Sequence, residues 1–506
     1  MQLLAEDLVV GVVGAGAMGQ GIVQVAVAGG IKTLILDQRP GAAAEAIEKI
    51  SGRLNRLVEK GKMDQPACDH AISLMTPCEQ YDQMAPAHVV VEAVFEELAA
   101  KRDVFQNLEK VVGNDCILTS NTSSIPIASI ASACRMRKRV AGFHFFNPVP
   151  LMKLVEVIGT TETDEDVLNK LMQVGRLMTR TPVLVKDAPG FLVNMGGSAF
   201  TTEGFTIFHE NIATPAQVDA IMRDCHHFRM GPFELGDLTG IDVNYPVRQI
   251  IYNGYNQDPR IKTTPEHKAM FDAGRYGRKT FAGWYDYAQE DMQGYAAGEM
   301  IGRDAGNYIP KGEAGPVALA EETELLAGFV AELGLEVVPD DGRCPLVAAP
   351  IGWDATETAL RLDVDHRRLV CVDPLGARDK RITIMMAPGH DPSAGDLLAA
   401  SLVRAGRQVT WINDSAGFVG QRMVAMVANL GCYMAEIGLA SCDDIDLAMR
   451  LGLNYPMGPL ELVEQHGAAN ILTVLEAAQH ITGSDRYRAT TWLRRRARLQ
   501  LSIRSQ

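Results

Sequence analysis

Residues 8–19 read Leu-Val-Val-Gly-Val-Val-Gly-Ala-Gly-Ala-Met-Gly, so that an apolar run leads directly into a Gly-x-Gly-x-x-Gly turn. The apolar run predicts a buried strand, and the small residues at 20–29 predict a helix after the turn. A second apolar run at 33–36 ends at Asp37. This order of strand, glycine turn, helix, strand and acidic residue is typical of a dinucleotide-binding βαβ unit.

The glycines and the start of the helix each have a physical task in such a unit. Gly14 permits the tight turn, Gly16 lets the backbone approach a pyrophosphate, and Gly19 lets helix and strand pack closely. The start of the helix, at Ala17 and Met18, directs free N–H groups and a positive dipole end at the phosphates. These five residues are predicted to bind the cofactor.

Asp37 selects among the dinucleotides. Its carboxylate can accept hydrogen bonds from ribose hydroxyls and would repel a 2′-phosphate, which favours NAD over NADP. The same glycine pattern occurs in FAD-binding domains and in turns that bind nothing, so the turn alone leaves these alternatives open.

The composition limits the classes of partner. A chain of 506 residues is long enough for about two to four folding units. Its net charge of −14 argues against nucleic acid or an anionic membrane surface as the main partner. No apolar stretch reaches about 18 residues, so no membrane span is expected. The nine cysteines are scattered without a Cys-x-x-Cys pair, which favours a reducing, cytoplasmic compartment and predicts no metal site.

Further apolar runs extend the predicted sheet. They lie at residues 88–92, 117–119, 140–146, 154–158 and 183–185. The pattern predicts an α/β Rossmann-type doubly wound sheet over residues 1–186, followed by an all-α domain over residues 187–286.

The chain then repeats itself at a constant shift of 227 positions. Met-Gly-Pro-Phe-Glu-Leu at 230–235 falls on Met-Gly-Pro-Leu-Glu-Leu at 457–462, and Asp187 and Phe191 fall on Asp414 and Phe418. We interpret this as a partial internal duplication. A connector and a degenerate Rossmann-like segment are expected over residues 287–411, and a second helical domain over residues 412–506. Two unrelated helical segments that share a turn motif are the alternative.

Two residues combine into a candidate catalytic pair. His144 lies near the end of the run at 140–146, and Glu156 stands inside an apolar run, where a lone carboxylate is costly to bury. Oxidation of a secondary alcohol needs a base for the hydroxyl proton, a role that suits a neutral imidazole. A carboxylate behind the imidazole would fix its tautomer. Taken singly, His144 could be a core histidine and Glu156 an ion-pair partner of Lys153.

Residues 140–158 resemble the signature of the 3-hydroxyacyl-CoA dehydrogenase family; they read Val-Ala-Gly-Phe-His-Phe-Phe-Asn-Pro-Val-Pro-Leu-Met-Lys-Leu-Val-Glu-Val-Ile. The resemblance runs nearly continuously over residues 8–286. It implies that His144 is the general base with Glu156 as its partner. It also implies that Ser123 and Asn194 contact the reacting oxygen and the thioester region.

The resemblance extends the predicted cofactor site. It adds Glu96, Lys101, Asn147 and Lys279 to the residues that bind NAD. One departure concerns the residues after Asn194, where the family usually has Arg and bulky apolar residues and this chain has Met-Gly-Gly at 195–197.

A basic helix face is the candidate site for an acyl-CoA substrate. Arg53, Arg56 and Lys60 share one face of the helix predicted over residues 42–60, and CoA carries a 3′-phosphate and a pyrophosphate. Spacing alone fits a solvated face equally well. The resemblance implies that Arg53 and Lys60, together with Ser123, bind the acyl-CoA.

The second half has lost the predicted chemistry. The shift places the four candidate catalytic residues on residues that cannot replace them: His144 on Cys371, Glu156 on Thr383, Ser123 on Pro350 and Asn194 on Gln421. We therefore expect a catalytically silent copy. In the family the helical domain associates with a copy of itself, so the resemblance implies a packing role, within a homo-oligomer or as an intrachain pseudo-dimer.

The acyl chain of the substrate is inferred from the layout of the chain. The two-copy layout and the basic C-terminal segments at 485–488 and 493–496 resemble the subgroup associated with phenylacetate breakdown, whose substrate is 3-hydroxyadipyl-CoA. 3-Hydroxybutyryl-CoA is the alternative, and a carboxylate on the acyl tail would call for a cation that the sequence does not place. The rivals are a different β-hydroxyacid dehydrogenase, which would use a lysine base in the region of Asn194, and a non-catalytic NAD-binding relative.

Overall fold

The computed structural model describes residues 3–287 and 300–505. These residues form two compact units. The first runs up to Val193 and includes Gly438–Leu453, and the second contains the other described residues. The four-domain division expected from the sequence stays a prediction.

The first unit is built on an eight-stranded sheet with helices between its strands. The strands are β1 (Val9–Val13), β2 (Lys32–Leu36), β3 (Met75–Cys78), β4 (Val89–Glu92), β5 (Ile117–Ser120), β6 (Val140–Phe145), β7 (Leu154–Gly159) and β8 (Thr181–Lys186). The helices are α1 (Ala17–Ala28), α2 (Ala42–Glu59), α3 (Gln65–Ser73), α4 (Leu98–Val111), α5 (Ile127–Ala131), α6 (Glu165–Leu177) and α16 (Cys442–Leu453).

The strand order is β3-β2-β1-β4-β5-β6-β7-β8, and the pairs are parallel except for β6 with β7. The order reverses between β1 and β4, which is where doubly wound sheets bind their ligands. Most residues inside the strands are apolar and buried, as expected where helices cover both faces of a sheet, and Val12, Val91 and Phe143 lie in the core. Strand β3 was not predicted: it is short, contains Pro77, and pairs only at the edge, where proline is tolerated.

The second unit combines helices with a smaller sheet. Its helices are α8 (Pro215–His226), α9 (Pro232–Thr239), α10 (Ile241–Gly254), α11 (Pro265–Asp272), α12 (Glu324–Leu333), α13 (Ala355–Leu362), α14 (Pro392–Arg404), α15 (Gly420–Glu436), α17 (Pro459–His466), α18 (Ala468–Thr482) and α19 (Thr491–Leu499). Helix α7 (Val193–His209) begins at the last residue of the first unit.

The strands of this unit are β9 (Asp286–Tyr287), β10 (Met300–Ile301), β11 (Ala318–Leu319), β12 (Leu346–Ala348), β13 (Leu369–Val372), β14 (Arg381–Met385) and β15 (Gln408–Ile412). Strands β9 and β10 pair in antiparallel fashion, and the other five form a sheet in the order β11 to β15, around a core that includes Phe329 and Ile384. The expected fold class is confirmed: a Rossmann-type sheet, a helical domain and a second, smaller sheet.

The two halves share their element pattern. Helices α7, α8, α9 and α10 begin 227 residues before α15, α16, α17 and α18, and β7 and β8 begin 227 residues before β14 and β15. The pair β13–β14 is antiparallel between parallel neighbours, as β6–β7 is. Within the described ranges, the five-stranded sheet has no counterpart of β1, β2 or β3. It therefore corresponds to the half of the first sheet that lacks the glycine turn.

Each sheet is covered by a helix from the other half of the sequence. Helix α16 packs on β7 and β8 in the first unit, and α8 packs on β14 and β15 in the second. The Lys186 amide donates to the Leu439 carbonyl at 2.9 Å, and the Asn413 amide donates to the Ile212 carbonyl at 3.0 Å. These two bonds are related by the shift of 227 residues. None of the helices in the described ranges combines the length and apolar character that a membrane crossing requires.

Candidate active site

The glycine turn joins β1 to α1 and requires glycine at two positions. Gly14 has a φ of +110°, and a Cβ there would lie 2.5 Å from the carbonyl oxygen of Ala93. A Cβ on Gly19 would lie 1.8 Å from the carbonyl oxygen of Gly14. Larger residues would therefore open the turn or separate the helix from the strand.

The same turn is open on the side where a ligand would lie. A Cβ on Gly16 would meet nothing within 4 Å, and Gly16 and Ala17 are exposed while Met18 is half-buried. Asp37 follows β2, and its Oδ2 accepts a hydrogen bond from the Ala15 amide at 2.7 Å. An open backbone cradle beside a carboxylate, at the sheet's switch point, fits a dinucleotide with free ribose hydroxyls.

Two further residues predicted to bind the cofactor, Glu96 and Lys101, contact each other. The Lys101 ammonium is buried between Glu92, at 2.8 Å, and Glu96, at 3.2 Å. Glu96 Oε1 also accepts from the Thr122 hydroxyl at 2.6 Å and the Ser123 amide at 3.0 Å. Burial raises the pKa of Glu96, but these hydrogen bonds and the Lys101 charge outweigh it and hold the pKa below its usual range. Glu96 is therefore an ionised acceptor that positions Ser123.

His144 and Glu156 form a buried pair. The antiparallel register of β6 and β7 places them opposite each other, and His144 Nδ1 lies 2.6 Å from Glu156 Oε2. Glu156 is fully buried and His144 is 5% exposed. Glu156 Oε1 accepts from the amides of Leu192 at 3.1 Å and Val193 at 2.8 Å. The carboxylate is thus held by three donors, and the imidazole can have little freedom to turn.

The contact with Glu156 determines what His144 can do. A carboxylate can only accept from Nδ1, so the neutral imidazole carries its proton on Nδ1 and has its lone pair on Nε2. The ring lies beside Phe146, with centroids 4.5 Å apart, and Phe191, with centroids 5.8 Å apart. This arrangement can accept a proton at Nε2 and stabilise the resulting imidazolium.

The remaining predicted site residues lie in different places. Asn147 is exposed just after β6. Asn194 and Lys279 belong to the second unit, where the Asn194 carbonyl accepts from Arg248 Nη1 at 2.6 Å and Lys279 forms an ion pair with Asp242.

Arg53 and Lys60, which were predicted to bind CoA, differ in their surroundings. Arg53 is half-buried, and its Nη2 donates to Gln20 Oε1 at 2.5 Å, while Gln20 Nε2 donates to the Ala15 carbonyl at 2.7 Å. Arg53 is therefore linked to the backbone of the glycine turn. Lys60 is exposed directly after the last residue of α2.

Sequence reasoning missed Glu92. Glu92 is fully buried and anchors both Lys101 and the Ser120 hydroxyl, which donates at 2.6 Å. Glu92 could have been found from the sequence, because it is a carboxylate at the end of a run of valines. The same kind of signal, a carboxylate in an apolar run, identified Glu156.

The equivalents in the second half lack the pair. Cys371 is fully buried and lies opposite Met385. Gln421 Nε2 donates to the Pro350 carbonyl at 3.1 Å and to Asp373 at 3.0 Å. Gln421 and Pro350 stand at the positions that correspond to Asn194 and Ser123, so these two positions are in direct contact in the second half. The position that corresponds to His144 holds Cys371.

Comparisons with known proteins agree with this geometry. A family model described as 3-hydroxyacyl-CoA dehydrogenase, NAD binding domain, matches residues 9–188. The model described as 3-hydroxyacyl-CoA dehydrogenase, C-terminal domain, matches residues 190–287 and 417–504. NAD is therefore the cofactor of the first domain, and the open turn at Gly16 fits it.

Individual relatives cover all or half of the chain. The 3-hydroxyadipyl-CoA dehydrogenase of Escherichia coli (strain K12) is 35% identical over 498 residues, which are 98% of each chain. A probable 3-hydroxybutyryl-CoA dehydrogenase of Bacillus subtilis (strain 168) is 34% identical over 55% of this chain and 97% of its own length. A crystal structure of 3-hydroxybutyryl-CoA dehydrogenase from E. coli K12 superposes with a TM-score of 0.84 and 33% identity, covering 97% of this chain and 98% of that one. The chain belongs to the 3-hydroxyacyl-CoA dehydrogenase family.

Proposed function

We propose that the protein oxidises the C3 hydroxyl of a (3S)-3-hydroxyacyl-CoA to a 3-oxoacyl-CoA, with His144 as general base and Glu156 as the residue that orients it. The observation that carries this proposal is the buried contact of 2.6 Å between His144 Nδ1 and Glu156 Oε2. NAD, when bound, accepts the hydride that leaves C3.

His144 takes the hydroxyl proton on Nε2 as the carbonyl forms. The nearby negative charge of Glu156 stabilises the imidazolium that results. Glu156 stays in place because the amides of Leu192 and Val193 hold its other oxygen. In the reverse direction the imidazolium returns the proton to the alkoxide oxygen.

The other predicted site residues support binding in this proposal. Ser123, positioned by Glu96, and Asn194 polarise the substrate oxygen and the thioester region. Arg53 and Lys60 hold the phosphates of CoA. The cofactor is held by the glycine turn and by five polar side chains: Asp37, Glu96, Lys101, Asn147 and Lys279.

Turnover measurements test the reaction class. Acetoacetyl-CoA with NADH, followed by the loss of NADH absorbance, should give turnover, as should the forward oxidation of 3-hydroxybutyryl-, 3-hydroxyadipyl- and longer 3-hydroxyacyl-CoA with NAD. Inactivity of the wild-type protein on every acyl-CoA would contradict the proposal and favour a non-catalytic relative. Oxidation of free hydroxyacids alone would favour another class of dehydrogenase.

We further propose that the second half is a duplicated, catalytically silent copy that makes the chain a pseudo-dimer. Reciprocal packing of α16 on β7 and β8 and of α8 on β14 and β15 supports this, as do the paired amide bonds of Lys186 and Asn413. In this proposal α16 supports the strand that carries Glu156. Eight of the nine cysteines are buried, which suits a reducing cytoplasm.

The Gly452→Leu variant tests the packing role. A Cβ on Gly452 would already lie 3.0 Å from Val193 Cγ2 and 3.1 Å from Leu154 Cδ2, so a leucine should displace α16 and disturb the Glu156 site. We expect kcat to fall by at least about tenfold. Gly328→Leu, where a Cβ would meet nothing within 4 Å, is the matched control. Equal rates for both variants would remove the proposed role of the second copy.

A further inference from the structure

Strand β6 extends past its neighbour β5 at the end that carries His144. The last paired residues of the two strands are Ser120 on β5 and Gly142 on β6, so Phe145 lies three residues beyond this pairing. The Phe145 amide still has a partner on the β5 side, because it donates to Oδ1 of Asn121 at 2.8 Å. The side chain of Asn121 therefore takes the place of a strand backbone next to His144.

Asn121 is itself held from β4, the neighbour of β5 on the side away from β6. Its amide donates to the carbonyl oxygen of Glu92 at 2.8 Å, which continues the pairing of β5 with β4. The amide of the next residue, Thr122, donates to the Ser120 hydroxyl at 3.2 Å, and that hydroxyl donates to the buried carboxylate of Glu92 at 2.6 Å. The backbone on both sides of Asn121 is thus fixed to β4.

The contact between Asn121 and Phe145 needs an oxygen on Asn121. A backbone N–H can only donate, so the side-chain atom that it meets is the amide oxygen and not the NH₂ group. Phe145 is 1% exposed, so water has little access to its amide. Loss of the Asn121 oxygen would leave a buried donor without an acceptor, which favours a shift of the strand end towards another partner.

This contact reaches the base because Phe145 directly follows His144. On its other edge, the end of β6 is held by the antiparallel register that places His144 opposite Glu156. That register fixes the two side chains relative to each other, but it does not by itself fix where the pair lies relative to β5. Asn121 joins the end of β6 to the loop after β5, and the same loop carries Ser123.

We propose that Asn121 is a positioning residue for the general base. By holding the Phe145 amide, it sets the position of His144 Nε2 relative to the substrate oxygen that Ser123 polarises. The inference rests on the proposed dehydrogenase function and adds a residue to it. The effect of Asn121 is exerted through His144 and needs no contact between Asn121 and a ligand.

The first test replaces Asn121 in the full-length protein. Asn121→Leu keeps the size and branching of the side chain but removes the acceptor. We expect kcat for 3-hydroxybutyryl-CoA at saturating NAD to fall by about 10–100-fold, because a misplacement of about 1 Å at a reacting group costs that much. The KM for NAD should stay within about threefold. Asn121→Asp keeps an acceptor oxygen and should recover most of the loss, and Asn169→Leu, at an exposed position on α6, is the matched control.

The second test is a double-mutant cycle with His144→Gln. If Asn121 acts through the imidazole, Asn121→Leu should lower kcat by less than about threefold once His144 is gone. A loss that stays at about 10–100-fold in the His144→Gln background would show that Asn121 acts elsewhere, and would overturn the inference. Asn121→Ala replaces Asn121→Leu in the same cycle if the leucine variant does not fold.

Two further outcomes would overturn the inference while leaving the proposed function intact. The first is an Asn121→Asp rate as low as that of Asn121→Leu, because the acceptor oxygen would then not be what matters. The second is an Asn121→Leu variant with a lower denaturation midpoint but the wild-type kcat, because the contact would then only stabilise the fold. Absence of any acyl-CoA turnover by the wild type would overturn the proposed function, and the inference with it.

Discussion

The Glu156→Gln variant tests the catalytic pair, because it replaces one carboxylate oxygen by an NH₂ group and leaves the shape of the side chain almost unchanged. Glu156 receives three donors: the Leu192 and Val193 amides on Oε1 and His144 Nδ1 on Oε2. Glutamine offers one acceptor oxygen and one NH₂ donor. If that oxygen keeps the two amides, the NH₂ group faces Nδ1.

An NH₂ group facing Nδ1 reverses the tautomer of His144. The imidazole must then accept at Nδ1 and carry its proton on Nε2, where it cannot take the substrate's proton. We therefore expect kcat to fall by about 10³–10⁴-fold, as expected for a wrong tautomer in a comparable His–carboxylate pair. The KM for NAD should stay within about threefold, because Glu156 does not contact the glycine turn.

The assay is the oxidation of 3-hydroxybutyryl-CoA or 3-hydroxyadipyl-CoA with NAD, followed by NADH absorbance. Glu165→Gln, at an exposed carboxylate in the first turn of α6, is the matched control and should retain the wild-type rate. A Glu156→Gln rate within about tenfold of the wild type would refute the tautomer argument. A large loss of folded protein, seen by circular dichroism, would mean instead that Glu156 acts through stability.

Three further changes test other parts of the structure. Gly16→Ala should leave the melting temperature unchanged, because a Cβ at this position meets nothing within 4 Å, but it should weaken NAD binding by at least about tenfold in calorimetry. Gly52→Ala, where a Cβ also meets nothing within 4 Å, is the control. Equal NAD affinities of the two variants would argue against NAD binding at the glycine turn. Lys101→Met leaves Glu92 buried without its cation and should lower the free energy of unfolding, measured with denaturant, by about 3–5 kcal/mol. An unchanged denaturation midpoint would show that the Lys101–Glu92 ion pair does not stabilise the fold. Burial raises the pKa of Asp373 to about 6, so between about pH 4 and pH 6 the folded chain keeps a proton that the unfolded chain releases. The stability that this carboxyl contributes is therefore fully present below about pH 4 and is lost as the pH rises through 6. Asp373→Asn should therefore be more stable than the wild type by about 3 kcal/mol near pH 7.5 and by only about 0.5 kcal/mol near pH 4, and a difference independent of pH would contradict this assignment.

The first sheet was predictable because its strands are mostly apolar and its first turn contains three glycines. Residues buried on both faces leave a signal that a single sequence carries, and the glycines at 14 and 19 are required by backbone contacts. Strand β3 was missed because it is an edge strand of four residues, of which only the first and the last are buried and apolar. The antiparallel pairing of β6 and β7 depends on chain direction, which periodicity does not encode.

The candidate site was predictable to the extent that single residues were conspicuous. His144 and Glu156 stand out as polar residues in apolar runs, and the structure places them in contact. Arg53 could not be separated from a solvated face by spacing, because its link to Gln20 depends on how α1 and α2 pack.

The rate of the His144→Gln variant is the most direct measurement of the central claim that this imidazole removes the hydroxyl proton. With saturating NAD and 3-hydroxyacyl-CoA, kcat should fall by about 10²–10⁴-fold, while His70→Gln, at an exposed position on α3, should match the wild type. A His144→Gln variant that turns over as fast as the wild type would contradict the account.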